Sequence, residues 1–218
     1  MIHVAFDLDG TLVDSVRDLC ASASQLVTSF GGRSLHEDEV ALMVGEGAAV
    51  LVKRALEAAG LDPDRPDALP QFLELYDRRL LDTTVAYPGV AETLELASRR
   101  ARLSVVTNKP LGPSRRILDA LGLTSFFETI IGGDNAHGRK PNPAGLRAAA
   151  ADASHVLLVG DSPIDWETAR AAGCPLIWAR YGCAAQRFAA PPETPYVLDK
   201  PSDFAGVFDR LEAVMRGT

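Results

Sequence analysis

The sequence predicts a three-layer α/β fold, a doubly wound and mostly parallel sheet interrupted early by an all-helical insert. Three observations predict it. Short, almost wholly apolar runs alternate with helical periodicity from Val90 onward, the pattern of strands buried on both faces. No strand-like run occurs between Ser15 and about Thr84, where apolar residues recur at helical spacing instead. The unusual polar residues Asp7, Thr107 and Asp161 each close an apolar run, and sites of open parallel sheets lie beyond the carboxyl ends of the strands. Residues 1–14 and 88–218 are therefore assigned to the α/β core and 15–87 to the insert.

Val4-Ala5-Phe6 leads straight into Asp7-Leu8-Asp9-Gly10-Thr11, a buried strand emptying into a polar loop. Taken alone, the stretch also reads as a core strand followed by an Asp-Gly turn. Two carboxylates one residue apart disfavour each other's charge, and a divalent metal with oxygen ligands compensates them. The insert begins with Val16, Leu19, Ala23, Leu26, Val27 and Phe30 at helical spacing, ended by Gly31-Gly32. Ser34-Leu35-His36-Glu37 matches a capping box and predicts a second helix. Gly45-Glu46-Gly47 separates it from a third helix over 48–59, and a fourth runs from Ala68 to about Asp82 with Phe72, Leu75, Tyr76, Leu80 and Leu81 on its apolar side. Tyr87-Pro88-Gly89 is the turn back to the core.

In the core, a helix over 90–100 precedes the strand 103–107, which ends in Thr107-Asn108-Lys109-Pro110. A helix beginning near Pro113 and capped by Gly122 follows. Thr129-Ile130-Ile131 is a short strand ending in Gly132-Gly133-Asp134. Lys140-Pro141 leads into an alanine-rich helix reaching about Ala153. His155 to Val159 is a strand ending in Gly160-Asp161-Ser162-Pro163-Ile164-Asp165, and the next helix is capped by Gly173. Strands 175–179 and 196–198 flank a loop with Pro191, Pro192 and Pro195, and a last helix covers about 202–215.

Composition narrows the function classes. A chain of 218 residues with 47% hydrophobic residues holds one large domain, or one with a smaller insert. A net charge of −7 argues against nucleic-acid or anionic-lipid partners. Cys20, Cys174 and Cys183 are odd in number and lack metal-binding spacing, so neither a disulfide framework nor a zinc site is expected. With no signal peptide or membrane-spanning run apparent, the expected setting is cytoplasmic.

Four clusters thus need one explanation: Asp7-x-Asp9-x-Thr11, Thr107-Asn108, Lys140-Pro141, and Gly160-Asp161 with Asp165. Each alone is ordinary turn or loop chemistry. Together, in this order and each at a strand end or the adjoining loop, they resemble the motif set of the haloacid dehalogenase superfamily of phosphatases. Asp7-Leu8-Asp9-Gly10-Thr11-Leu12-Val13-Asp14-Ser15 fits the first motif throughout, Thr107 the second, Lys140 the third, and Gly160-Asp161 with Asp165 the fourth. The resemblance covers nearly the whole chain. It implies a Rossmann-like core and makes the helical insert a cap domain.

The resemblance also implies roles. Asp7 is the nucleophile that forms an aspartyl-phosphate, and Asp9 is the general acid and base. Mg2+ is held by the carboxylates of Asp7 and Asp161 and the backbone carbonyl of Asp9. Asp165 supports the metal site from outside its ligands, and Thr11 supports the loop. Thr107 and Asn108 bind the phosphoryl group, and Lys140 supplies fixed positive charge where it builds in the transition state. The cap excludes water, with Gly45 and Gly47 of its loop expected at the substrate. Lys53 and Arg54 on the following helix read better as a solvated face.

Within the superfamily, Val44-Gly45-Glu46-Gly47, Thr107-Asn108-Lys109-Pro110, Ile131-Gly132-Gly133-Asp134 and Lys140-Pro141-Asn142-Pro143 resemble phosphoglycolate phosphatases most. The expected partner is a small phosphorylated metabolite, and the expected state a monomer or homodimer. Sugar-phosphate or pyrophosphate hydrolysis and phosphomutase chemistry share these core motifs. A phospho-accepting signalling receiver also combines an acidic pair, a Thr and a Lys. Receivers, however, lack a helical insert after the first strand and carry their phosphorylated aspartate mid-chain.

Overall fold

The computed structural model describes residues 1–185, 188–191 and 194–216, so Pro192 of the expected loop lies outside the described residues. In chain order the elements are β1 (Ile2–Phe6), β2 (Val13–Asp14), α1 (Val16–Ser29), α2 (Glu37–Ala41), α3 (Ala48–Ala58), α4 (Ala68–Arg79) and β3 (Val85–Ala86). There follow α5 (Val90–Ser98), β4 (Arg102–Val106), α6 (Leu111–Ala120), β5 (Thr129–Ile131), α7 (Ala144–Ala149) and β6 (His155–Gly160). The chain closes with α8 (Pro163–Ala172), β7 (Leu176–Ala179), β8 (Tyr196–Leu198) and α9 (Phe204–Arg216).

Six strands form one parallel sheet in the order β5-β4-β1-β6-β7-β8. The strand order reverses direction at β1, and ligands of such sheets bind at that switch point. β1 pairs with β4 through Val4↔Leu103 and with β6 through Val4↔Leu157. Side chains alternate between two cores, as a strand's period of two requires. Val4, Phe6, Leu103, Val105, Leu157 and Val159 join the larger apolar cluster with α5, α6 and α9. Ala5, Val106 and Leu158 face the smaller cluster with Leu146 of α7 and Ala169 of α8. The near-continuous apolar reading of these strands thus reflects cover on both faces.

The stretch between β2 and β3 holds helices α1 to α4 and no strand of the large sheet. β2 and β3 pair antiparallel, Val13 opposite Ala86 and Asp14 opposite Val85. The insert therefore leaves and re-enters the core through one two-stranded ribbon. Its apolar residues, among them Leu26, Val27, Leu56 and Phe72, are continuous with the larger core cluster.

Three local expectations shift. The second helix starts after His36 rather than after Ser34, with the Glu39 carboxylate accepting from the His36 amide at 3.0 Å. Ser24 on α1 accounts for the displacement, because its hydroxyl accepts from the Leu35 amide and donates to the Leu35 carbonyl, both at 3.0 Å. Leu35 is thereby tied to α1 and buried against it. α7 ends at Ala149 rather than near Ala153, and Leu81 of the fourth helical run is 41% exposed rather than core-facing.

Buried Asp18, on the first turn of α1, clasps the returning chain. Its carboxylate accepts from the Thr83 and Thr84 amides at 2.8–3.0 Å and from their hydroxyls at 2.6 and 2.7 Å. Burial pushes its carboxyl up, but these hydrogen bonds prevail and hold it below the ordinary carboxylate range. A depressed folded-state value adds stability above the unfolded value of about 3.9 and loses it as pH falls further. Asp18→Asn is expected to destabilise the protein by about 2 kcal/mol at neutral pH. In denaturant titrations the gap to wild type should shrink below about pH 4. A gap that stays constant down to acid unfolding would contradict this assignment.

Candidate active site

The carboxyl edge of the sheet gathers most of the expected residues. β1 ends at Phe6 and presents Asp7, whose amide donates to the Val159 carbonyl of β6 at 2.9 Å. β6 ends at Gly160 and presents Asp161. Asp165 lies in the first turn of α8, where Ser162 caps the helix and shares a reciprocal pair with it. Lys140 arrives from the β5–α7 connection. All four side chains are buried.

The Lys140 ammonium donates to Asp165 Oδ1 at 2.6 Å and lies 2.8 Å from Asp7 Oδ1. The second contact is an ion pair out of line for a hydrogen bond, which leaves Asp7 Oδ1 without an aligned donor. Asp165 Oδ2 accepts from the Ser162 hydroxyl at 2.6 Å and the Ser162 amide at 3.1 Å, so both of its oxygens are engaged. Asp161 Oδ2 accepts from the Ala184 amide at 2.9 Å. Carboxylate oxygens of Asp7, Asp161 and Asp165 lie within 4.8 Å of one another.

Burial dominates the electrostatics. It pushes the Asp7 carboxyl up to about 6, with Lys140 pulling it down and the Asp165 charge adding to the rise. Burial holds Asp161 well above the usual carboxylate range, and Asp165 and Asp7 add to it. For Lys140, burial opposes the charge, yet Asp165 and Asp7 together keep the ammonium more basic than an ordinary lysine. Fully ionised, the three carboxylates face one ammonium. The excess equals the charge of one divalent cation, and all-oxygen donors suit a hard one. The donor set therefore fits a divalent metal.

Glycines let the chain approach this cluster. Gly10 has φ +85°, and a Cβ there would collide with the Asp161 carboxylate. Gly182 packs against both Asp161 and the Gly10 carbonyl, where any side chain would clash. The segment 182–184 thus closes over the Asp161 carboxylate, a contribution that the sequence reading lacks.

The remaining expected residues form the rim. Thr107 is buried at the end of β4, its Oγ1 accepting from the Lys109 amide at 3.2 Å. Its hydroxyl proton is thus left to donate. The Asn108 side chain clamps neighbouring backbone: Oδ1 accepts from Lys140 N at 2.8 Å, and Nδ2 donates to the Lys140 and Gly45 carbonyls, both at 3.0 Å. The amide is thus committed to holding Lys140 and the insert's loop, leaving its backbone for any ligand. Thr11 is buried below the loop; its hydroxyl has no partner among the described residues, and its carbonyl accepts from Tyr181 at 2.8 Å.

Asp9, Thr107 and Asn108 line a cleft of about 540 Å³, counting its open mouth, beneath the insert. Gly45 and Gly47 line it as well, with Met43, Leu51 and Phe72. Lys53 pairs with Asp64 and Arg54 with Glu46, and none of these four lines the cleft.

From sequence, Lys109 carries no role beyond its place in the Thr107–Pro110 motif, and Tyr76 reads as part of an apolar helix face. The structure brings both to Asp9, as it does Ser15, whose hydroxyl donates to Asp9 Oδ1 at 2.6 Å. A lysine directly after a strand-end Thr-Asn was the available signal.

Residues 4–179 match the family model described as haloacid dehalogenase-like hydrolase. The chain is 41% identical over 199 residues to a phosphoglycolate phosphatase of Rhodospirillum rubrum, covering 86% of this chain and 83% of that protein. A phosphoglycolate phosphatase of Caulobacter vibrioides is 41% identical over 187 residues, covering 82% and 79%. Among solved structures, a predicted phosphoglycolate phosphatase from Haemophilus somnus superposes with a TM-score of 0.85 at 30% identity, covering 94% and 96%. A haloacid dehalogenase-like family protein from Streptococcus pneumoniae superposes at 0.79 with 20% identity, covering 94% and 97%, and shares the fold. No helix among the described residues is long and apolar enough to cross a membrane.

Proposed function

The chain belongs to the haloacid dehalogenase-like hydrolase family, and on that premise we propose that it is a magnesium-dependent phosphatase of 2-phosphoglycolate that works through a phospho-aspartyl intermediate on Asp7. One observation carries the mechanism: the buried cluster of Asp7, Asp161 and Asp165 around a single ammonium, with Asp7 also lining the cleft beneath the insert. The phosphoglycolate assignment draws on the relatives of that name.

The chain's residues divide the work. Asp7 attacks phosphorus, so that a carboxylate O–P bond forms as the ester P–O bond breaks. Asp9 gives its proton to the departing alkoxide, then takes one from the water that hydrolyses the acyl phosphate. The Thr107 hydroxyl and the Asn108 backbone N–H hold phosphoryl oxygens, and Lys140 faces the charge that builds on them. Asp7, Asp161 and the Asp9 carbonyl are the groups to hold Mg2+. When bound, the ion supplies two positive charges against the dianionic phosphate. Asp165, with both oxygens engaged by Lys140 and Ser162, orients Lys140 and supports the ligands around it. The insert keeps water from the acyl phosphate and is the proposed cap.

The test is inorganic phosphate release by the purified protein with Mg2+. 2-Phosphoglycolate should show the highest kcat/KM among small phospho-acids, sugar phosphates and pyrophosphate. A chelator should abolish turnover and added Mg2+ restore it. Preference for a sugar phosphate or pyrophosphate would reassign the substrate. Phosphoryl return to a sugar without phosphate release would make the protein a mutase.

A further inference from the structure

Lys109 is almost fully buried, its side chain 5% exposed, one residue beyond the clamp made by Asn108. Its backbone is fixed, the amide donating to Thr107 Oγ1 and the carbonyl accepting from Gly133 at 2.7 Å. The ammonium spends its protons on three acceptors: Asp9 Oδ1 at 3.0 Å, Asp9 Oδ2 at 3.1 Å and the Tyr76 hydroxyl at 2.6 Å. The Tyr76 ring also lies 4.4 Å from Nζ, centroid to nitrogen, and stacks on Phe72 at 5.9 Å. Lys109 thus holds both Asp9 oxygens from the core, and Ser15, at the start of the insert, also donates to Asp9 Oδ1. A buried ammonium is costly unless every proton finds an acceptor. Here the last acceptor comes from α4, an element of the insert, and all three residues line the cleft.

We propose that Lys109 is a positioning residue that fixes the Asp9 carboxylate toward the leaving group, and that Tyr76 completes this arrangement only when the insert closes over the core. The proposal rests on the acid/base role assigned to Asp9 above. Closure then does two things at once: it covers the cleft, and it fills the hydrogen-bonding of the cation that holds the acid/base group. With the insert lifted, one ammonium proton loses its partner and the Lys109–Asp9 pair is exposed to water, where such a pair is weakly held.

The test compares kcat/KM for two aryl esters that differ in their need for protonation of the leaving group. p-Nitrophenyl phosphate expels a weakly basic oxyanion and phenyl phosphate a more basic one. Lys109→Met should lower kcat/KM on phenyl phosphate about 100-fold but on p-nitrophenyl phosphate about 10-fold or less, since general acid catalysis is worth roughly 10²–10⁴. Tyr76→Phe keeps the ring and its stack, and should lean the same way by about 3-fold to 10-fold. Because that change is small and leaves Lys109 in place, it supplies the readout even where Lys109→Met folds poorly by circular dichroism. Equal losses on the two esters would overturn the proposal and leave both residues structural. A rise in KM confined to 2-phosphoglycolate would also overturn it, assigning Lys109 to the substrate carboxylate. Wild-type protein inactive on all three esters would instead refute the phosphatase reading.

Discussion

Asp7→Asn is expected to lower phosphate release by at least about 10⁴-fold, because the amide offers no anionic oxygen to attack phosphorus. The fold should survive. Asparagine is nearly isosteric, and the lost charge is one that the site tolerates poorly. Burial first, then the Asp165 charge, raise the Asp7 carboxyl to about 6 against the pull of Lys140. For an acid with a raised folded-state value, the sign of the linkage is fixed. Its stabilising contribution is complete below the unfolded value of about 3.9 and is lost as pH rises through the folded one. Metal-free wild type should therefore lose stability relative to Asp7→Asn between about pH 4 and pH 6. Above that window the variant should melt no lower than wild type in chelator. Added divalent ion should reverse the order, because only wild type keeps the complete ligand set. Turnover by Asp7→Asn near the wild-type rate would remove Asp7 as nucleophile, and a melting temperature that ignored the ion in both proteins would remove the metal site.

Lys140→Met should be nearly as severe, and for both activity and stability. Its ammonium is the cation shared by Asp7 and Asp165, and both of those carboxylates are buried. Removing one partner of a buried charge cluster typically costs about 3–5 kcal/mol, since the remaining charges stay desolvated and unpaired. Measured by denaturant unfolding in chelator at neutral pH, a loss of that size is expected. Millimolar Mg2+ should recover part of it by supplying positive charge to the same carboxylates. Turnover should stay about 10²–10³-fold down even with the ion, because a fixed transition-state donor is gone. Lys53→Met is the contrast: its pair with Asp64 is exposed, and its unfolding curve should overlay that of wild type. A Lys140→Met protein as stable as wild type in chelator would mean that the carboxylates are neutral there.

Much of this site is legible in the sequence because it is built from strand ends. A buried parallel strand announces itself by its apolar run, and a carboxylate closing such a run is costly enough to demand a partner. Asp7, Asp161, Thr107 and, from a neighbouring loop, Lys140 share one edge for that reason. What stays hidden depends on pairings across long chain separations that no local pattern encodes. Lys109 meets Asp9 only once the ends of β1 and β4 lie side by side and Tyr76 only after α4 docks, and Asp18 meets Thr83 and Thr84 only after the insert returns. In a helix, Tyr76 and Asp18 carry the periodicity of ordinary packing and ordinary capping acids, so their partners are invisible. The displaced start of α2 is similar, since Ser34 has the right local chemistry and loses to Ser24 on another helix. The segment around Gly182 carries no motif, yet it approaches Asp161 so closely that only a glycine fits.

The ribbon of β2 and β3 has a consequence for how such chains diversify. Because the outgoing and incoming segments are already neighbours, at Val13–Ala86 and Asp14–Val85, whatever is strung between them closes a loop whose ends the scaffold has brought together. Lengthening such a loop adds only a slowly growing entropic penalty. Modules of different size and shape can be exchanged at that seam without altering the strand order beneath, so substrate choice is free to drift while the chemical machinery stays fixed.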